Sequence, residues 1–374
     1  MGEENFSGRK IRIGYVSMDF REHSVVYFIN PLLENYSRDD FEVYCYSDVV
    51  KADNFTHRIQ SEVDVWRDIV GMENHSVVDM IRRDRIDILV DLRAHTSGGL
   101  RLPVFASKPA TIQVTYLGYP NTSGLNTIDY RITDVLSDPY GQEHYYSEEL
   151  FRLEGGFLCY QMPQGLPDVN EVPALTNGYI TFGSFNNLAK MNPDVMVLWS
   201  QILLQIPGSR LILKNKSFRA KAVRERYLAR FGEMGIDSER LELIGWQESM
   251  EDHLRLYQQI DIGLDTFPYN GTTTTCEAFA MGVPVITLCG VRHAARVGTS
   301  LLHQVGLPEL IAESETEYMQ VAKGLAGDLR RLHDIRAGLR ERMLVSLCNA
   351  ARFCERMEAA YRKMLLSQRS YNHI

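Results

Sequence analysis

The stretch DIGLDTFPYNGTTTTCEAFAMGVPVIT, Asp261 to Thr287, decides how this chain is read. An apolar run ends at Asp265, a loop containing Pro268 and Gly271 follows, and four threonines, Thr272 to Thr275, open a helical segment that carries Glu277. A second apolar run begins at Val283. Strand, loop, helix and strand in this order describe a parallel sheet with a crossover helix. The loop after the first strand then lies at the carboxyl edge of the sheet, where open α/β sheets bind ligands.

The same alternation extends outward from this unit. Upstream lie YITFGSF (179–185), SRLILKN (209–215) and LELIGW (241–246). Before them come KIRIGYV (10–16), FEVYCYS (41–47), VDVWRDI (63–69), IDILVDL (86–92), IQVTYLG (112–118) and DYRITD (129–134). The two series are separated by PQGLPDVNEVPALTNG (163–178), whose Pro, Gly and Asn content reads as a linker. Beyond Glu315 the pattern is helical to Leu366. The fold class is therefore α/β, with two parallel-sheet halves and a ligand cleft expected between them.

Composition narrows the function. The 374 residues are 45% hydrophobic and 24% charged, ordinary globular proportions. With 40 basic against 48 acidic residues the net charge is −8, so nucleic acid is not expected as a partner. No apolar run is long enough to suggest a membrane span, and the polar start MGEENFSGRK has no signal-peptide core. A cytoplasmic protein without a membrane partner is the expectation. Six scattered cysteines form no C-x-x-C pair, and no D-x-D triplet is present to hold a divalent metal against a diphosphate.

Several segments carry chemistry. A helix start at Thr272, Thr273, Thr274 and Thr275 offers backbone N–H groups and hydroxyls to a diphosphate, and Glu277 one turn later suits ribose hydroxyls. The competing reading is an ordinary threonine cap followed by a first-turn acid. TFGSFNNLAKMNPD (181–194) places Lys190 as a point charge for a phosphate, with Asn186 and Asn187 as neutral donors. A solvated lysine before a helix marked by Asn192-Pro193 explains the same residues. In MDFREHS (18–24), Asp19 and His23 suit a base or a group that orients a hydroxyl. The segment is not G-x-G-x-x-G, which removes the main support for a dinucleotide-binding dehydrogenase. RAHTSGG (93–99), with His95, and YLGYPNTSG (116–124), with Gly118, Tyr119 and Pro120, read as cleft walls or as plain loop turns. His253 in MEDHLRLY suits stacking on a nucleobase or a surface helix position. Arg296 in VRHAARVG suits a phosphate donor or a helix cap.

Taken together, IRIGYVSMDFREHSVVYFI, YLGYPNTSG, ITFGSFNNLAK and LDTFPYNGTTTTCE resemble the catalytic region of the protein O-GlcNAc transferase and SPINDLY family, in order from about Ile11 to Leu366. The resemblance implies a GT-B fold of two Rossmann-like domains. Their expected limits are 1–170 on the acceptor side and 171–345 for the nucleotide-sugar donor, with a helix at 346–374 packing back on the first domain. It implies inverting transfer without a metal or other cofactor. Lys190 resembles the lysine on the donor diphosphate, and Asn187 stands where the animal enzyme has a glutamine. Thr273 and Thr274 resemble its phosphate-binding threonines, Glu277 the acid that holds the ribose, and His253 the histidine against the base. Asp19 and His23 match the Asp and His near sugar and acceptor.

Three features depart from the animal enzyme. Thr272 replaces a histidine, Met250 replaces a lysine near uracil, and the tetratricopeptide repeats that recognise acceptors are not among these residues. The expected function is transfer of GlcNAc from UDP-GlcNAc to a Ser or Thr hydroxyl of a protein. A SPINDLY-like fucosyltransferase using GDP-fucose, a sensor that binds nucleotide sugar without turnover, and a nucleotide-sugar epimerase are the alternatives.

Overall fold

The computed structural model describes residues 8–96 and 101–371, with side chains through Ser367. Ser97, Gly98 and Gly99 of the RAHTSGG loop, and most of the polar start, lie outside the described residues. The chain divides into two compact units, 1–161 with 349–374, and 162–348.

The first unit runs β1 (Ile11–Ser17), α1 (Val26–Asn35), β2 (Phe41–Ser47), α2 (Asn54–Glu62), β3 (Val65–Asp68), α3 (Asn74–Asp84), β4 (Ile88–Asp91), α4 (Leu102–Ala106), β5 (Ile112–Thr115), β6 (Tyr130–Thr133) and β7 (Glu149–Arg152). Its seven strands are all parallel, in the order β3-β2-β1-β4-β5-β6-β7. β1 and β4 are apolar almost throughout because helices cover a parallel sheet on both faces. Local signals set the helix ends. Asp53 caps α2 in a reciprocal box with Thr56, and Arg85 closes α3 in the left-handed region at φ 54°.

The second unit runs α5 (Ala174–Asn177), β8 (Thr181–Ser184), α6 (Pro193–Gln205), β9 (Arg210–Lys214), α7 (Lys221–Glu233), β10 (Leu241–Ile244), α8 (Met250–Arg255), β11 (Ile262–Leu264), α9 (Thr273–Ala280), β12 (Val285–Leu288), α10 (Val297–Gln304), β13 (Ile311–Ala312), α11 (Glu315–Ala326) and α12 (Leu329–Val345). Its six parallel strands are ordered β10-β9-β8-β11-β12-β13. Asn192 caps α6 and Pro193 occupies its first turn, the start that Asn192-Pro193 predicts. Both sheets therefore wind outward in two directions from a central pair, β1 and β4 in one and β8 and β11 in the other. At such a reversal, the carboxyl ends of the central strands are where open α/β sheets bind ligands.

The last helix, α13 (Ala350–Tyr371), belongs to the first unit. It buries Phe353, Met357, Tyr361 and Met364 at helical spacing, and its Tyr361 hydroxyl bonds that of Tyr15 on β1 at 3.1 Å. The first boundary lies at 161/162, nine residues before the linker limit read from the sequence. Residues 162–170 are held by the second unit: Arg340 donates to the Pro167 carbonyl, Gln258 to that of Asp168, and Arg336 to that of Asn170. At the far end the boundary lies at 348/349 instead of 345/346. Among the described residues no helix is long and apolar enough to cross a membrane.

Candidate active site

In the second unit the carboxyl ends of β8 and β11 gather most of the residues read as donor-binding. Asp265, directly after β11, organises them. One carboxylate oxygen accepts from the backbone N–H of Thr266 at 2.9 Å and of Gly271 at 2.6 Å, the other from the Thr287 hydroxyl at 2.8 Å. The loop from Thr266 to Gly271 is thereby folded over the strand end. Burial without full compensation pushes the Asp265 carboxyl up to about 6, against these bonds and the nearby Lys190 charge. Asn270 ties the loop down further, donating to the Thr266 carbonyl and accepting from the N–H of Gly298. At Gly271 a Cβ would lie 2.7 Å from the Thr274 hydroxyl and 2.8 Å from Asn186 Oδ1, so glycine lets loop and helix start meet.

The four threonines are not an ordinary cap. Thr272 occupies the cap position of α9 but makes no side-chain cap hydrogen bond. Thr273 is part-exposed and Thr275 is buried. The Thr274 hydroxyl donates to Asn186 Oδ1 at 3.0 Å, which joins the helix start to the end of β8. Lys190 comes from the turn after β8. Its ammonium donates to the Asn270 carbonyl at 2.7 Å and lies 3.8 Å from the centroid of the Tyr269 ring. Burial pushes it down to about 8, while Asp265 pulls the other way. A poorly hydrated cation is thus held against the loop that leads into an uncapped helix start.

A second cluster adjoins α9. Glu277 is buried, and one of its oxygens accepts from His253 Nε2 at 2.9 Å and from the Tyr257 hydroxyl at 3.1 Å. Tyr257 also donates to the Thr274 carbonyl, linking this cluster to the threonines. Phe185 packs against both His253 and Tyr257. Lys214, at the end of β9, donates to His253 Nδ1 at 3.0 Å. Glu277 is therefore neither solvated nor a simple first-turn acid.

Two residues expected here are placed differently. Asn187 caps its own turn by accepting from the Ala189 N–H and is exposed. Arg296 donates to the Gly290 carbonyl at 2.9 Å and approaches Cys289 Sγ at 3.0 Å, bracing its own loop. Asp265, Asn270, Tyr257, Lys214 and Phe185 were not singled out from the sequence. The position of Asp265 at a strand's carboxyl end was the available signal. A cavity of about 520 Å³ lies at the opposite edge of this unit, near the starts of β8, β9 and β10. Its Arg240 spends its donors on the carbonyls of Leu203, Ile206 and Ser209.

In the first unit the carboxyl ends of β1 and β4 hold Asp19 and His23 beside Arg93. Asp19 is buried, 3.8 Å from His23 Nδ1, 3.7 Å from Arg21 and 4.0 Å from Arg93. The first separation is an ion-pair distance, not a hydrogen bond. His23 Nδ1 accepts from the Val25 N–H at 3.3 Å, and burial lowers the imidazole below its usual range despite Asp19. His95 bonds the Ser123 carbonyl at 2.7 Å and meets Tyr119 edge-on, so it joins its loop to 116–124, the loop that also carries Pro120. Gly118 approaches protein backbone: a Cβ there would lie 2.0 Å from the Leu92 carbonyl oxygen. Among the described residues no group of three His, Cys, Asp or Glu is placed to hold a metal ion.

Two doubly wound sheets, each with polar residues at its central strand ends, define a protein with two Rossmann-like domains of the GT-B type. The model of glycosyl transferase family 41 matches residues 2–173 and 161–357. The chain belongs to that family. It is 47% identical over 361 residues to the SPINDLY protein of Petunia hybrida, named a probable UDP-N-acetylglucosamine–peptide N-acetylglucosaminyltransferase, covering 95% of this chain and 39% of that protein. It is 34% identical over 373 residues to the SEC protein of Arabidopsis thaliana, which bears the same enzyme name, covering 95% and 37%. The chain thus spans about two fifths of these curated relatives. A solved O-GlcNAc transferase mutant from Thermobaculum terrenum superposes with a TM-score of 0.92 at 39% identity, covering 96% of this chain and 68% of that one.

Proposed function

We propose that this chain is the catalytic region of an inverting, metal-independent protein O-glycosyltransferase that moves GlcNAc from UDP-GlcNAc to a Ser or Thr hydroxyl. The observation that carries the proposal is the part-buried Lys190 ammonium held against the loop that opens into α9. A cation and free helix N–H groups in one place suit a departing diphosphate. The names of the SPINDLY and SEC relatives support UDP-GlcNAc as donor and a peptide as acceptor.

In the proposed step the acceptor oxygen forms a bond to the anomeric carbon as the bond to the diphosphate oxygen breaks. The leaving diphosphate takes the electron pair, and the proton of the acceptor hydroxyl passes to His23 or Asp19. Lys190, Thr273 and Thr274 take the developing negative charge in the role a metal ion has elsewhere. Glu277 takes the ribose and the His253 ring packs against the base. In the first unit, Asp19 and His23 are assigned to the acceptor hydroxyl.

The test incubates the purified chain separately with UDP-GlcNAc, UDP-glucose and GDP-fucose. Nucleotide release and added mass on co-incubated protein are read, with Lys190→Ala as control. Release from UDP-GlcNAc with a matching protein mass supports the proposal. Turnover of GDP-fucose alone replaces the donor, an epimerised sugar replaces the reaction, and tight binding without turnover makes the chain a sensor.

A further inference from the structure

Lys214 had no part in the reading of the sequence, and the step proposed above does not use it. It ends β9, the strand next to β8, and is part-buried. Its ammonium lies 3.0 Å from His253 Nδ1 and 5.8 Å from the ring centroid of Trp246, whose side chain is exposed. On its opposite edge the His253 ring lies 2.9 Å from Glu277 Oε2 through Nε2. The imidazole is thus held by both nitrogens, between a cation and an anion.

Chemistry fixes the polarity of this row. An ammonium has only N–H bonds to offer, so Nδ1 must present its lone pair to it. The ring proton then resides on Nε2 and is donated to Glu277, whose Oε2 also takes the Tyr257 hydroxyl. The reverse arrangement would set an Nδ1–H against an ammonium and a lone pair against a carboxylate. Burial lowers the Lys214 pKa, and the Glu277 charge acts to raise it, which favours the charged form the row requires. The other groups around the ring are apolar or directed elsewhere. Phe185 covers one side, and on α8 itself Arg255 pairs with Glu251 while Asp252 accepts from Ser249. Glu277 Oε1 takes part in no hydrogen bond of this row and stays available to a ligand hydroxyl.

We infer that Lys214 is a positioning residue of the nucleotide site: it locks His253 in the neutral Nε2–H tautomer and in one ring orientation, so that the ring can pack on a nucleobase while Glu277 keeps an oxygen for the ribose. The inference rests on the assignment of His253 and Glu277 to the donor. A ring pinned at both nitrogens cannot swing about its χ2 axis, so its packing face exists before the ligand arrives.

The deciding measurement needs no donor. Long-range ¹H–¹⁵N spectra of the unliganded chain, with His253 assigned by comparison with His253→Gln, report which ring nitrogen bears the proton. The expected wild-type signature of the neutral ring is one tautomer, protonated at Nε2 and bare at Nδ1. Lys214→Met should give mixed tautomers, and Lys214→Arg, which also has only donors, should restore the single signature. A wild-type proton on Nδ1, or an unchanged signature in Lys214→Met, overturns the inference. With the chain's donor in hand, Lys214→Met should raise KM about tenfold, the equivalent of one charge-assisted hydrogen bond, with kcat within about twofold. An intact tautomer lock in a chain that turns over no donor would fault the proposed function and leave the lock standing.

Discussion

The Lys190 ammonium sits 2.7 Å from the carbonyl oxygen of Asn270, a residue eighty positions along the chain. Neither residue is free to move alone. Asn270 is held by Thr266 and Gly298, and its loop is folded over Asp265. The cation is therefore aimed before any ligand binds, the preorganisation that electrostatic catalysis requires.

Lys190→Met should lower turnover about 10²–10³-fold, the cost of losing one well-placed donor to the leaving group. Single substitution of Thr273 or Thr274 by Val should cost less, because backbone N–H groups remain. The folded chain should not melt earlier. Burial holds the Lys190 pKa near 8, below that of an unfolded lysine, so at neutral pH its charge is kept at a cost to stability. Steady-state rates and thermal melts check both halves, and equal small rate losses at Lys190 and Thr274 would remove Lys190 from its role.

Donor binding should weaken as pH rises through about 8. Above that pH the unliganded Lys190 is increasingly neutral, whereas a bound diphosphate favours the ammonium. Binding near pH 8 should therefore take up protons, seen by calorimetry in buffers of different ionisation enthalpy. Lys190→Arg keeps its charge throughout and should abolish the uptake. A wild-type affinity that stays flat from about pH 7 to about pH 9 would contradict the assignment.

Asp265→Asn should flatten the dependence of stability on pH. The folded carboxyl, near 6, lies above its unfolded value of 3.8, so the folded state holds the extra proton between them. The contribution is thus present at low pH and lost as pH rises through that window. Asp91, also raised to about 6, acts in the same direction and keeps part of the slope in the variant. Chemical denaturation from about pH 4 to about pH 7 measures the difference, and identical slopes would refute it.

Gly118→Ala should destabilise the first unit by roughly 1–3 kcal/mol or prevent its folding, because the new methyl meets the Leu92 carbonyl, a backbone group that cannot turn away. Gly232→Ala on α7 is the matched control. A Cβ there meets nothing within 4 Å, and removal of a helical glycine should stabilise by about 0.5–1 kcal/mol. Denaturation midpoints of the two variants should move in opposite directions.

The sequence by itself determined the alternation of strands and helices, because buried parallel strands must be short apolar runs and helices must repeat near 3.6 residues. It also marked the threonine run, Lys190 and Glu277, since helix starts and strand ends are local features. The edge strands β7 and β13 were not read from the sequence; β13 has only two residues, too few to leave a pattern. The return of α13 to the first unit was expected only through the family resemblance, and the attachment of 162–170 to the second was not expected at all, since the bonds that hold them span long separations. Only the tertiary structure decided which polar residues meet. It turned Asn187 and Arg296 onto their own loops, and it set Asp265 under the Thr266–Gly271 loop and Lys214 against His253. Those pairings depend on strand order, and strand order is fixed by packing across the sheet, which no single stretch of sequence records.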